Sequence, residues 1–176
     1  MNNIVLYESK YGSTQRYAKW IGEELNCKVL KISDINIDKL INYDNIIFGG
    51  WVHNANLEGF NKIYENIDKL RDKKLLVFAV GLAMTEDPQY QKYKEKTFKD
   101  FNNIKHFYLR GAFDFNKINF SDKIMMSVFK TILKMKNAKQ SNEKITAMIN
   151  SYSKSSDFTK KENIKIIVDE VKGRSL

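Results

Sequence analysis

The chain has 176 residues, 43% of them hydrophobic, which is enough for one domain with a substantial core. Its 30 Lys and Arg against 21 Asp and Glu give a net charge of +9, but the lysines are dispersed along the chain, which argues against a nucleic-acid-binding surface. A lone Cys27 excludes an internal disulfide and fits a reducing, cytoplasmic setting. No apolar run approaches the ~20 residues that span a bilayer, and the N-terminus lacks the basic-then-apolar pattern of a secretion signal.

Taken in chain order, a strand is expected at Asn3–Glu8 and a helix at Thr14–Leu25, with Tyr17, Trp20, Ile21 and Leu25 at helical spacing. A second strand follows at Lys28–Ile32, a short helix near Asn36–Ile41 and a third strand at Asn45–Gly50. Next come a helix at Glu58–Leu70, a strand at Leu75–Gly81, a helix at Gln89–Phe101 and a fifth strand at His106–Phe113. The runs Ile46-Ile47-Phe48 and Leu75 to Val80 are continuously apolar, the pattern of parallel strands buried on both faces. Strands alternating with helices predict a doubly wound α/β sheet with right-handed crossovers. Beyond the fifth strand, a helix is expected near Asp122–Lys136, another near Glu143–Tyr152 and a last one at Thr159–Val171.

The segment between the first strand and the first helix is Ser9-Lys10-Tyr11-Gly12-Ser13-Thr14. Backbone N–H groups at a helix start have no internal partner, and the helix dipole favours negative charge there, so this loop is a candidate phosphate cradle. Simple capping of the helix by the same hydroxyls is the alternative. The loop is neither a Walker loop nor a Gly-x-Gly-x-x-Gly turn. It resembles the flavodoxin phosphate loop, Ser/Thr-x-Thr-Gly-x-Thr, with Tyr11 in place of a small hydroxyl residue.

That resemblance implies a flavodoxin-like three-layer fold: a five-stranded parallel sheet of order 2-1-3-4-5 with helices on both faces. Ligands in such sheets bind beyond the carboxyl ends of the strands, at the switch point between the first and third. The loop after the third strand reads Gly49-Gly50-Trp51-Val52-His53-Asn54-Ala55-Asn56. Its glycines would let the backbone pass close to a ligand, Trp51 offers a flat apolar face, and His53 and Asn54 offer hydrogen bonds. The loop after the fourth strand, Gly81-Leu82-Ala83-Met84-Thr85-Glu86-Asp87, is small and suited to a ring edge. Flavodoxins hold the isoalloxazine ring with these two loops. The resemblance therefore implies FMN, its phosphate on Ser9, Lys10, Tyr11, Gly12, Ser13 and Thr14. The ring would lie among Gly50, Trp51, Val52, His53, Asn54, Ala55, Gly81, Leu82, Ala83 and Met84.

The chain is thus expected to be one flavodoxin-like domain over residues 1–176, with an extra helical insertion at about 114–157. Ile124, Met125, Val128, Phe129, Ile132, Leu133 and Met135 would form a broad apolar arc on its first helix. Lys123, Lys130 and Lys134 share one stripe there, a pattern of interfacial helices as well as of helices packed on a sheet. This insertion, with the Gly111-Ala112-Phe113-Asp114-Phe115 turn, is similar to the flavodoxin-domain branch that includes menaquinone-dependent protoporphyrinogen oxidases. That branch implies an FMN-dependent oxidoreductase that passes electrons to a quinone and touches the inner face of an anionic membrane. An electron carrier that docks on an acidic redox partner protein, and a module that has lost its flavin, are the other readings. No metal cluster and no nucleophile–base pair stands out, because His53 and His106 lie far apart and Cys27 has no evident base.

Overall fold

The computed structural model describes residues 1–82, 85, 88–99, 104–113, 131, 135 and 155–174. The chain divides into two compact units, Met1–Gly111 with Thr159–Leu176, and Ala112–Phe158. In the first unit lie β1 (Asn3–Tyr7), β2 (Lys28–Lys31), β3 (Asn45–His53), β4 (Asn56–Leu57), β5 (Lys74–Gly81) and β6 (Lys105–Arg110). The sheet order is β2-β1-β3-β5-β6, with β4 attached to the end of β3. Every pairing along that path is parallel, with Val5 opposite both Val29 and Ile47, and Ile47 opposite Leu76. With the small β4 set aside, this is the 2-1-3-4-5 order of the flavodoxin-like fold.

Alternation along the strands builds two cores, because successive side chains point to opposite faces. Ile4, Leu6, Ile46, Phe48, Val77 and Ala79 face Leu40, Phe60, Ile63, Leu70, Tyr93 and Phe98. Val5, Ile47, Leu76, Phe78, Val80 and Leu109 face Tyr17, Ala18 and Ile21 of helix α1 (Ser13–Leu25). The same face is covered by the C-terminal segment, a 3-10 turn at Lys161–Ile164 that runs into α4 (Lys165–Val171). Ile164, Ile167, Val168 and Val171 are buried there, as their spacing predicts. Tyr17 joins these parts, since its hydroxyl donates to the Arg110 carbonyl at 2.8 Å and accepts from the Lys160 N–H at 3.4 Å.

Three expected elements differ. The helix expected over Glu58–Leu70 is instead α2 (Asn61–Tyr64) followed by a 3-10 turn at Ile67–Leu70. Asn66 causes the break: its side-chain amide donates to the Lys62 carbonyl at 3.1 Å, taking the acceptor that its own N–H would use in a continuous helix. Its N–H turns to the Ile63 carbonyl at 3.1 Å. The third strand does not stop at Gly50 but runs to His53 and folds back as a hairpin, with Val52 opposite Leu57 and His53 opposite Asn56. The fifth strand, expected over His106–Phe113, ends at Arg110, and a short β7 (Ala112–Phe113) pairs antiparallel with β8 (Ser156–Asp157) in the second unit. The helix expected at Gln89–Phe101 is α3 (Pro88–Phe98). The expected helices near Asp122–Lys136 and Glu143–Tyr152, and most of the insertion at 114–157, lie outside the described residues. Among the described residues no helix is long and apolar enough to cross a membrane.

Candidate functional site

The site lies at the carboxyl end of β1, where the chain leaves for α1 while β3 pairs along the other edge. The connecting turn is closed by the Gly12 N–H donating to Ser9 Oγ at 3.1 Å, and the first helical bond runs from the Arg16 N–H to the Gly12 carbonyl at 2.9 Å. Gly12 is the N-cap of α1 at φ 92, a left-handed conformation that costs an L side chain about 1–2 kcal/mol. Being glycine, it gives the helix start no side-chain acceptor, and no acidic residue stands in the first turn. Among the described residues, a Cβ added at Gly12 would meet nothing within 4 Å. A glycine N-cap, a first turn without acidic residues and the positive end of the dipole together fit an anionic group.

The hydroxyl residues are divided. Ser9 is tied into the turn, whereas Ser13 and Thr14 are buried, at 9% and 1% exposure. Gly111, just past β6, makes room for Val80, whose Cγ1 would lie 2.9 Å from an added Cβ, with Ser13 in ordinary contact beside it. The Glu8 carboxylate, the acidic group nearest the turn in sequence, lies 3.5 Å from the Lys31 ammonium.

Trp51 and His53 alternate with Val52 at the end of β3. Val52 packs into the core on the α2 and α3 face, so Trp51 and His53 project on the α1 side, toward the phosphate-type turn. Their rings stack with centroids 5.1 Å apart and planes at 26°. His53 Nδ1 lies 3.8 Å from a Glu58 carboxylate oxygen, an ion pair whenever the imidazole is protonated. The Lys10 ammonium lies 5.2 Å from the centroid of Trp51 and also 5.2 Å from that of Tyr11. The hairpin turn that holds this platform has Asn54 at φ 48 and Ala55 at φ 60, the left-handed pair of a two-residue turn. Asn suits such a turn; Ala55 carries strain there.

The glycines of the second and third loops sit where neighbouring side chains pack closely on the backbone. Gly50 leaves room for Leu57, whose Cδ1 would lie 2.7 Å from an added Cβ, and Gly49 leaves room for the Phe78 ring. Gly81 lies under the Tyr108 hydroxyl, 2.2 Å from where its Cβ would be. Leu82 is half-buried after β5, and the Thr85 carbonyl accepts from the Gln91 side chain at 3.2 Å. The expected ring contacts Ala83 and Met84 lie outside the described residues. The structure therefore links Tyr11, Lys10, Trp51 and His53 in one chain of contacts. Glu58 is the member that sequence reasoning missed; its only signal is a position just after the Asn54-Ala55 turn. Cys27 takes no part: it is half-buried where α1 passes to β2, and burial pushes its thiol pKa up.

The residues thus offer an anion cradle at a helix start beside an aromatic platform, which fits a phosphorylated planar-ring cofactor. An uncharacterized protein of Methanocaldococcus jannaschii is 25% identical over 114 residues, 63% of this chain and 76% of that protein. Among solved structures, a flavodoxin from the domain Archaea is 18% identical over 62% of this chain and 85% of its own, with a TM-score of 0.43. An oxidised flavodoxin 2 from Bacillus cereus is also 18% identical, over 62% and 84%, with a TM-score of 0.45. The profile of the family described as Flavodoxin domain matches residues 4–142, and the chain belongs to that family.

Proposed function

We propose that this chain binds FMN and works as a flavoprotein oxidoreductase. The observation that supports this most is the glycine-capped start of α1, with no acidic residue in its first turn, on the same side of the sheet as the Trp51–His53 platform. When bound, the flavin supplies the chemistry by accepting and releasing electrons at its ring. The chain's own residues bind and orient it. Gly12 and the first N–H groups of α1 receive the phosphate, with Ser9 holding the turn in shape. Trp51 covers a ring face and excludes water there, while His53, steadied by Trp51 and Glu58, offers a hydrogen bond near the platform. The excess of basic residues favours a negatively charged reduced ring, so we expect a midpoint potential above that of an acidic flavodoxin.

The finer reading is that a quinone takes the electrons at an anionic membrane surface, with the segment that contains Lys123, Lys130 and Lys134 meeting the lipid. It is supported by the sequence likeness to the protoporphyrinogen oxidase branch. Stopped-flow reoxidation of the reduced, FMN-loaded protein tests it. Menaquinone in anionic liposomes should reoxidise the flavin fully, one quinone becoming quinol for each two-electron-reduced FMN. Reoxidation by an acidic protein partner with none by quinone would leave a flavodoxin-type carrier in its place.

A further inference from the structure

We propose that Lys10 serves the ring side of the site and not the phosphate, an inference that rests on the flavin-binding reading. A lysine in a glycine- and hydroxyl-containing turn at a helix start reads as a phosphate ligand. The geometry points elsewhere. The Gly12 N–H to Ser9 Oγ bond closes the turn, and Lys10 and Tyr11 stand on its exposed outer side. The Lys10 ammonium then lies 5.2 Å from the ring centroids of both Tyr11 and Trp51. Both distances are inside the ~6 Å reach of cation–π attraction, so two aromatic rings hold the charge at the platform.

The second ring contact of Trp51 is His53, at 5.1 Å. Tyr11, Lys10, Trp51 and His53 thus form one continuous strip, with the positive charge held within it. The helix start needs no lysine to attract an anion, because its N–H groups and dipole already do so. Lys10 is instead placed where a planar heteroaromatic ring would stack, and its ammonium can face the carbonyl and nitrogen acceptors of such a ring. Tyr11, the departure from the small hydroxyl residue of the flavodoxin loop, is what completes this arrangement: it is the ring against which Lys10 lies.

Riboflavin and FMN share the ring and differ in the phosphate, so the pair separates the two roles. Dissociation constants of both would be measured by flavin fluorescence for wild type, Lys10→Met and Lys10→Arg. With Lys10 on the ring side, Lys10→Met weakens riboflavin and FMN by the same factor, about three- to fivefold for an exposed cation–π-scale contact, and Lys10→Arg restores both. In a Trp20→Phe background, where Trp51 is the remaining tryptophan, Lys10→Met also shifts the emission of the ligand-free protein. A loss confined to FMN would overturn the proposal and return Lys10 to the phosphate. So would unchanged affinity for both flavins. Binding of neither flavin by the wild type would instead overturn the flavoprotein reading, and this inference with it.

Discussion

Replacing Gly12 by alanine separates the two things this residue does. At φ 92 an L side chain is strained by about 1–2 kcal/mol, less a few tenths returned by a stiffer unfolded chain. Among the described residues no atom lies within 4 Å of the new Cβ, so they add no steric term in the ligand-free protein. A net loss of about 1 kcal/mol corresponds to a fall in Tm of roughly 3 °C for a chain of this size. Gly173 is the control: it sits at φ 66 just beyond α4, and again nothing lies within 4 Å of an added Cβ. Gly173→Ala should therefore cost about the same stability. The two should part in FMN binding. On the proposed reading, the methyl group of Gly12→Ala would stand where a phosphate approaches the helix start. Loss of one charge-assisted hydrogen bond, about 1.5–3 kcal/mol, weakens FMN at least about tenfold. Gly173→Ala leaves it unchanged. Thermal melts and FMN titrations of both variants decide the matter. Equal Tm losses with equal, unaffected FMN affinities would refute the placement of the phosphate above Gly12.

Other consequences are open to direct measurement. Tyr93 is 1% exposed, and its hydroxyl has no hydrogen-bond partner among the described residues, so Tyr93→Phe should raise stability by up to about 1 kcal/mol, seen as a higher Tm. The same burial, reinforced by Tyr90 and Tyr108, raises the Tyr93 pKa well above the usual phenol range, and an alkaline absorbance titration should leave this tyrosine protonated until the protein unfolds. Glu170 is held below the usual carboxylate range by hydrogen bonds from Lys105 and then Lys74, which tie α4 to β6 and β5. A depressed carboxyl stabilises the fold above its unfolded pKa. The advantage of wild type over Glu170→Gln in urea should be present at pH 7 and shrink as pH falls through 4.5 and below. Cys27, its thiol pKa raised by burial, should react with iodoacetamide at pH 8 more slowly than in the urea-unfolded chain.

The parallel sheet was legible because Ile46 to Phe48 and Leu75 to Val80 can only be buried on both faces, and because each run is followed by a helical pattern. The turn at Gly12 was legible because it follows directly on the first strand. The end of β3 was misread because Gly49-Gly50 looks like a break, whereas those glycines sit mid-strand to admit Phe78 and Leu57. Only tertiary packing reveals that, as with Gly81 under Tyr108. Asn54-Ala55 is a weak hairpin signal beside the usual Asn-Gly, so the fold-back that orients Trp51 and His53 left little trace. Asn66 ended a helix through a side-chain bond that composition does not announce. The contacts of Lys10 depend on two rings forty residues apart in sequence, brought together by the pairing of β1 with β3.

Equilibrium titration of FMN with the purified protein, followed by flavin fluorescence and the visible spectrum, tests the central claim most directly. The account predicts saturation at one FMN per chain, a perturbed absorption band, and fluorescence quenched by Trp51, with the quenching reduced in Trp51→Ala. Flavin emission and absorption unchanged at micromolar protein would contradict it.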